Sequence, residues 1–337
     1  MPVNAGYASL SDNLLVVTIL AYAVAMLLYA VEYAFGNRGR IAAAAPNVAA
    51  ATVPSRVLVG AGAPAEPGPL GPTPVRRPGG RRPLAFGRMA VFLTLLGWAA
   101  HLGCLTLRGL AVGRAPWGNM YEFAVAATLV AVSAYLVLLA RQQVRYLGAF
   151  VMLPVVLLLG LAGTVLYTRA APLMPALQSY WLWIHVSMIT FACGIFMVGF
   201  ATSVLFLIAD RYEHRAAAGR PVRFPTSLGV RLPTADRLEQ VTFRVVAFGF
   251  PILTFAVIAG AIWAEAAWGR YWGWDPKETW AFITWVIYAA YLHARSTAGW
   301  RGRGAIVIAL LGWAAMMFNL FGVNILISGL HSYAGLS

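Results

Sequence analysis

Charge is scarce in this sequence, and acid is scarcer still. Charged residues make up 11% of the chain, where a water-soluble domain carries about 25%. Hydrophobic residues make up 61% of its 337 positions. No water-soluble core of this size absorbs that much apolar sequence, so part of the solvent must be lipid. Cysteine is nearly absent. Cys104 and Cys193 both lie inside apolar runs, and there is no Cys-x-x-Cys, which excludes a dithiol redox motif. Two buried packing thiols are the simpler reading, with a disulfide between them left open. Lysine is reduced to Lys277 among 25 basic residues, a mark of genome composition that carries no functional argument.

Long apolar runs are what the sequence has instead. Eight fall at 13–35, 88–108, 121–140, 146–167, 183–209, 243–264, 279–293 and 304–328. A helix needs about 20 apolar residues to cross the hydrocarbon. Backbone groups in lipid must pair within their own segment, and none of these runs alternates as a barrel strand does. The expected fold class is therefore all-α, a polytopic membrane bundle of about eight transmembrane helices. The first run follows Ser11-Asp12 rather than a basic stretch, and no small-residue cleavage site comes after it. It reads as a retained anchor helix over 1–35.

The formal charge of +14 is distributed as topology rather than as a nucleic-acid site. Loops 36–88, 141–145, 210–244 and 294–303 hold 20 of the 25 Lys and Arg, leaving Arg108, Arg114, Arg169, Arg270 and Lys277 for the other side. By the positive-inside rule both termini and the 265–280 loop are extracytoplasmic. Residues 36–88 run through Ala, Pro, Gly and Arg and cannot bury enough apolar area to offset their ordering entropy. They read as a disordered cytoplasmic linker whose arginines touch anionic lipid headgroups. Residues 89–337 form the main membrane domain, with 210–243 as a short surface helix plus loop.

The densest chemistry lies between the sixth and seventh runs. Six of the twelve tryptophans fall between Trp263 and Trp285, with the core Trp268-Gly269-Arg270-Tyr271-Trp272-Gly273-Trp274-Asp275-Pro276-Lys277-Glu278. Asp275, Pro276 and Glu278 have the spacing of an N-cap, a first-turn proline and a capping box. An interfacial aromatic belt accounts for one or two rings, not for Trp268, Tyr271, Trp272 and Trp274 within seven residues. Indole faces interleaved with glycine suit a flat macrocycle. Arg270 and Lys277 suit its carboxylates. Histidine in or beside a span is costly unless paired or liganded. His185 and His331 fall on the same side as this loop, which is the necessary condition for two axial ligands on one haem iron. His293 lies about 20 Å further along its helix, too far to reach the loop. His101 reads as structural and His214 as solvated.

The Trp268-Gly269-x-x-Trp272-x-Trp274-Asp275 pattern resembles the tryptophan-rich signature of the cytochrome c assembly protein family. From Gln178 to Tyr333 the landmarks follow the order of its system II branch (CcsA/ResC type, called CcsB in some bacteria). Pro116-Trp-Gly-Asn119-Met-Tyr121-Glu122 is similar to a further family segment, although a capping box from Asn119 to Glu122 explains it equally well. Gly322-Val-Asn324 also fits. The resemblance implies a haem-handling subunit of a cytochrome c haem lyase or synthase in the cell (inner) membrane, working on the extracytoplasmic side. It implies haem b with bis-histidine ligation by His185 and His331, and His293 as a ligand at an inner site. It also implies a ResB-type membrane partner, apocytochrome c, and a thiol-reducing thioredoxin-like protein. Catalytic groups beyond haem positioning are not expected. The alternatives are a haem delivery component of the ABC-transporter-linked (CcmC-like) pathway and a haem b electron-transfer subunit. A solute transporter is disfavoured, because Glu32 is the lone carboxylate in the depth of a run.

Overall fold

The computed structural model describes residues 3–35, 85–172, 179–297 and 300–331. The expected disorder of residues 36–88 lies outside these, apart from the last four residues, as do Gln178 and Tyr333. Eight long helices run through the described residues: α1 Ala5–Phe35, α2 Phe86–Val112, α3 Met120–Arg141, α4 Gly148–Thr164, α5 Tyr180–Ala217, α6 Ala235–Trp268, α7 Pro276–Ser296 and α8 Arg303–Met317. Each of the eight apolar runs lies on its own helix. Among the described residues there is no strand.

Seven of the eight are long and apolar enough to cross a membrane, α4 taken from Arg145 and α8 taken on to Leu326; α7 is not among them. It carries Lys277, Glu278, His293 and Arg295 near its ends, and its burial comes from packing on α6 and α8. The chain is a multi-pass membrane protein. The α5 helix is about 57 Å long at 1.5 Å per residue, well beyond the hydrocarbon thickness of about 30 Å. The expected separate surface helix after residue 210 is instead the continuation of α5 to Ala217, followed by a 3₁₀ turn at Thr226–Arg231. Nothing in the sequence between 205 and 217 breaks the helix, so it continues into solvent.

Packing follows small residues and buried polar pairs. Pair α1–α2 packs extensively, as does α5–α6, while α3 joins α4 to α5 and α8 closes against α5 and α7. Gly97 lets the Tyr22 ring lie against α2, where any Cβ would come within 2.7 Å of it. Away from water, each polar side chain needs a partner inside the bundle. Tyr29 Oη and Thr94 Oγ1 meet at 3.2 Å, and Thr202 and Thr242 hydroxyls meet at 2.7 Å. His101 places Nε2 2.9 Å from the Val125 carbonyl and Nδ1 3.3 Å from Tyr22 Oη, which is the structural role expected of it. Cys104 and Cys193 are both free and buried, so the disulfide left open from sequence is not formed. His214 is exposed beside Asp210.

Candidate functional site

The tryptophan loop leaves α6 through Gly269, whose φ of +69° caps the helix in the left-handed region that glycine adopts at no steric cost. It enters α7 through the predicted capping box, formed by Asp275 and Glu278 with Pro276 opening the helix. Glu278 Oε2 accepts from the backbone N–H of both Gly273 (2.8 Å) and Asp275 (3.1 Å), fixing the last turn of the loop. Between these anchors the rings divide. Trp268, Tyr271 and Trp272 line a cavity at this end of the bundle. Trp274 does not; it has a positive φ of 56° and is 66% exposed, its ring edge-on to Trp272 and Phe282.

Both rim histidines line the same cavity. His185, in the second turn of α5, donates from Nδ1 to the Ala256 carbonyl of α6 at 2.8 Å. His331, after α8, donates from Nδ1 to Asp275 Oδ2 at 2.9 Å. These bonds assign the lone pair of each ring to Nε2, the tautomer a metal-ligating imidazole needs. Trp263 packs near both rings. It is parallel to His185 at 6.2 Å and edge-on to His331 at 6.0 Å, so the imidazole centres lie within about 12 Å of each other. Trp268 closes the cluster, 4.8 Å from Trp263 and 5.1 Å from His331.

Asp275 acts on the site through His331. It takes the imidazole N–H on one oxygen, the Leu330 N–H on the other at 2.8 Å, and the Lys277 N–H at 3.2 Å. Burial raises the pKa of this carboxyl, but the bonds from His331, Leu330 and Lys277 outweigh it and hold it down at about 2. A carboxylate on the distal nitrogen also raises the basicity of a ligating imidazole.

The opposite wall was not legible as such in the sequence. Trp117, Asn119 and Met120 face the cavity from the start of α3. Asn119 caps α3 by accepting the Glu122 N–H at 2.9 Å. The reciprocal bond of the expected box goes elsewhere, with Glu122 Oε2 accepting from Gly118 N–H at 2.8 Å. Glu122 is fully buried and ion-paired to Arg114 at 2.7 Å and to Arg108 at 3.1 Å. It ties the turn that carries Trp117 to the end of α2. The cavity holds about 1340 Å³ of space between atoms, its open mouth included. Its enclosed part is about 210 Å³, smaller than the roughly 300–1,000 Å³ of preformed cofactor sites, so the fit to a macrocycle rests on the open mouth and on the chemistry of the donors.

The remaining predicted residues lie elsewhere. Arg270 is exposed, and its guanidinium covers Gly273 instead of facing the cavity. Lys277 does face it and donates to the Asn319 carbonyl at 3.2 Å. His293 is exposed in the last turns of α7, remote from the cavity lining. Among the described residues there is no cluster of His, Cys, Asp or Glu able to hold a bare metal ion.

Comparison with known proteins gives the family. Residues 117–331 match the family model described as cytochrome C assembly protein. These bounds begin at the Trp117 wall and end at His331. The chain is 36% identical over 255 residues to "Cytochrome c biogenesis protein CcsA" of Trieres chinensis, covering 68% of this chain and 81% of that protein. It is 36% identical over 293 residues to the protein of the same name in Gloeothece citriformis, covering 74% and 87%. Among solved structures, "Cytochrome c Heme Lyase CcmF" shares the fold with a TM-score of 0.60 at 16% identity. That match covers 95% of this chain and 47% of the haem lyase, so this chain spans about half its length. The chain belongs to the cytochrome c assembly protein family and is a CcsA-type cytochrome c biogenesis protein.

Proposed function

We propose that this protein is the haem-handling subunit of a system II cytochrome c synthase, and that it binds haem b as substrate on the extracytoplasmic side of the cell membrane. The observation that carries this reading is the shared cavity of His185 and His331, each oriented by a hydrogen bond on Nδ1. In this reading the two Nε2 atoms are the axial ligands. Trp263, Trp268 and Trp272 supply aromatic faces, and Asp275 keeps His331 aimed. The uneven distribution of Lys and Arg between the two ends supports an extracytoplasmic site.

The chemistry asks the protein to position rather than to transfer protons. Each cysteine sulfur of a Cys-x-x-Cys-His apocytochrome bonds to a vinyl carbon of haem, and the thiol proton ends on the neighbouring carbon. The addition is redox-neutral once the thiols are reduced, the task of a thioredoxin-like partner. Orientation of two reactants supplies about 7–11 kcal/mol in favourable cases. His293, exposed on α7, is the ligand this chain offers to an inner haem site that a ResB-type partner completes.

The test is co-production with the ResB-type partner and an apocytochrome, followed by haem staining after denaturing electrophoresis. His185→Ala, His331→Ala and Trp272→Ala are each expected to lower covalent cytochrome yield at equal protein level. Unchanged yield in all three removes the proposal.

A further inference from the structure

The cavity carries polar groups that the two histidines do not account for. Among the described residues, four that line it each carry a buried side-chain atom without a hydrogen-bond partner: Trp117 Nε1, Trp263 Nε1, Glu278 Oε1 and Asn319 Oδ1. Buried polar atoms without partners are rare and costly, so each calls for an explanation, and on a residue that lines a cavity a ligand is one. Trp263 belongs to the imidazole cluster already described. The others divide by position.

Lys277 and Glu278 are neighbours in the first turn of α7 and point in opposite directions. Glu278 turns back to the tryptophan loop, bonded to the N–H groups of Gly273 and Asp275, and places a negative charge on that side. Lys277 reaches across to α8 and donates to the Asn319 carbonyl. There α8 widens into a π-helical turn, Phe318–Gly322, before the short helix Val323–Leu326. A π turn inside a helix is a recurrent feature of functional sites. One turn further on, Asn324 touches Met120, next to Asn119 and Trp117. Lys277, Asn319 and Trp117 thus line the cavity from the start of α7, the end of α8 and the turn before α3, three segments joined by the Lys277–Asn319 and Asn324–Met120 contacts. Lys277 is the only Lys or Arg among the described residues that lines the cavity.

The geometry points to these three segments as the carboxylate-reading side of the site. Resting on the haem-binding reading above, we assign the two propionates of the porphyrin to Lys277 Nζ and the Trp117 indole N–H, with Asn319 between. Lysine offers three N–H donors and indole one, and neither can accept. Asn319 can turn its amide N–H₂ toward a carboxylate. Glu278 repels the propionates from the opposite side. Arg270, folded over Gly273 outside the cavity, takes no part. The consequence is orientation: the vinyl-bearing edge faces away from α8, toward the loop where Tyr271 is 62% exposed and an incoming thiol has access.

The experiment uses the full chain purified with its partner and titrated with iron protoporphyrin IX and with its dimethyl ester. The wild type is expected to bind the free acid about tenfold tighter or more, the worth of one charge-assisted hydrogen bond. In Lys277→Met and in Trp117→Phe, which keeps an aromatic ring and removes the donor, that preference falls toward unity while the bis-imidazole absorption spectrum is retained. In Arg270→Met the preference stays at the wild-type value. A wild type indifferent to esterification overturns the assignment, as does a preference unchanged in both Lys277→Met and Trp117→Phe or lost in Arg270→Met. A wild type with no bis-imidazole spectrum on either porphyrin overturns the haem-binding reading itself.

Discussion

Gly260 is where stability and haem ligation separate most cleanly. It lies on α6 one turn beyond Ala256, whose carbonyl holds His185, and a Cβ built on it would come 2.7 Å from both Cε1 and Nδ1 of the imidazole. Real Cβ contacts do not come that close, so in Gly260→Ala the ring must move. Moving costs the hydrogen bond to Ala256, about 0.5–1.5 kcal/mol net, and holding an off-rotamer ring costs a similar amount. Against this, alanine is favoured over glycine inside a helix by about 1 kcal/mol. The terms nearly cancel in folding and do not cancel in ligation, because the displaced Nε2 no longer meets iron. The expected result is a thermal unfolding midpoint within a few degrees of wild type in nanodiscs, with loss of the six-coordinate haem spectrum. An unchanged bis-imidazole spectrum in Gly260→Ala would refute the assignment of His185, since the ring cannot keep its present position beside the added methyl.

Asp275→Asn removes the charge while keeping an acceptor. It is expected to cost about 1–2 kcal/mol through the weakened cap and the weakened bond to His331, read by unfolding of the purified protein, and to broaden the axial-ligand signature in electron paramagnetic resonance. The pH dependence has a definite sign. The folded carboxyl sits at about 2, below its ordinary 3.8, so its stabilisation is complete above about pH 4 and is lost as pH falls toward 2. An acid titration of Asp275→Asn should lack that segment, and one that matches wild type contradicts the pairing. Glu122→Gln leaves Arg108 and Arg114 facing a neutral amide in full burial and is expected to destabilise by about 3–5 kcal/mol. A loss under 1 kcal/mol in denaturant unfolding would show that the arginines find other partners. His293→Ala, on an exposed position outside the cavity, should leave the unfolding midpoint and the spectrum of the outer haem unchanged while lowering total haem in the complex with the ResB-type partner. Equal haem in that complex excludes its ligand role.

The membrane architecture was legible because lipid imposes one rule, an apolar run of a fixed length, and each of the eight runs became a helix. The capping box at Asp275 was legible for the same local reason, being three residues with one geometry. Tertiary consequences were hidden. The spacing of Asp275 announced an N-cap but not that its second oxygen would hold the chain next to His331. Glu122 read as a capping residue, and its burial between two arginines depends on α2 ending beside α3, which no local pattern specifies. Trp263 looked like one more tryptophan inside a span, and only the packing of α5 on α6 brings it close to both imidazoles. The contact of Met120 with Asn324 beyond α8 was equally invisible, since those residues are 204 positions apart, although the family segment around Pro116 was the available signal.

Optical absorption of the haem-loaded complex, recorded for wild type, His185→Gly and His331→Gly with and without added imidazole, tests the central claim most directly. Each glycine variant should lose the six-coordinate, low-spin spectrum and recover it when imidazole fills the space of the missing ring. Retention of that spectrum in both variants without imidazole would contradict the account, because iron would then be held by groups other than these two side chains.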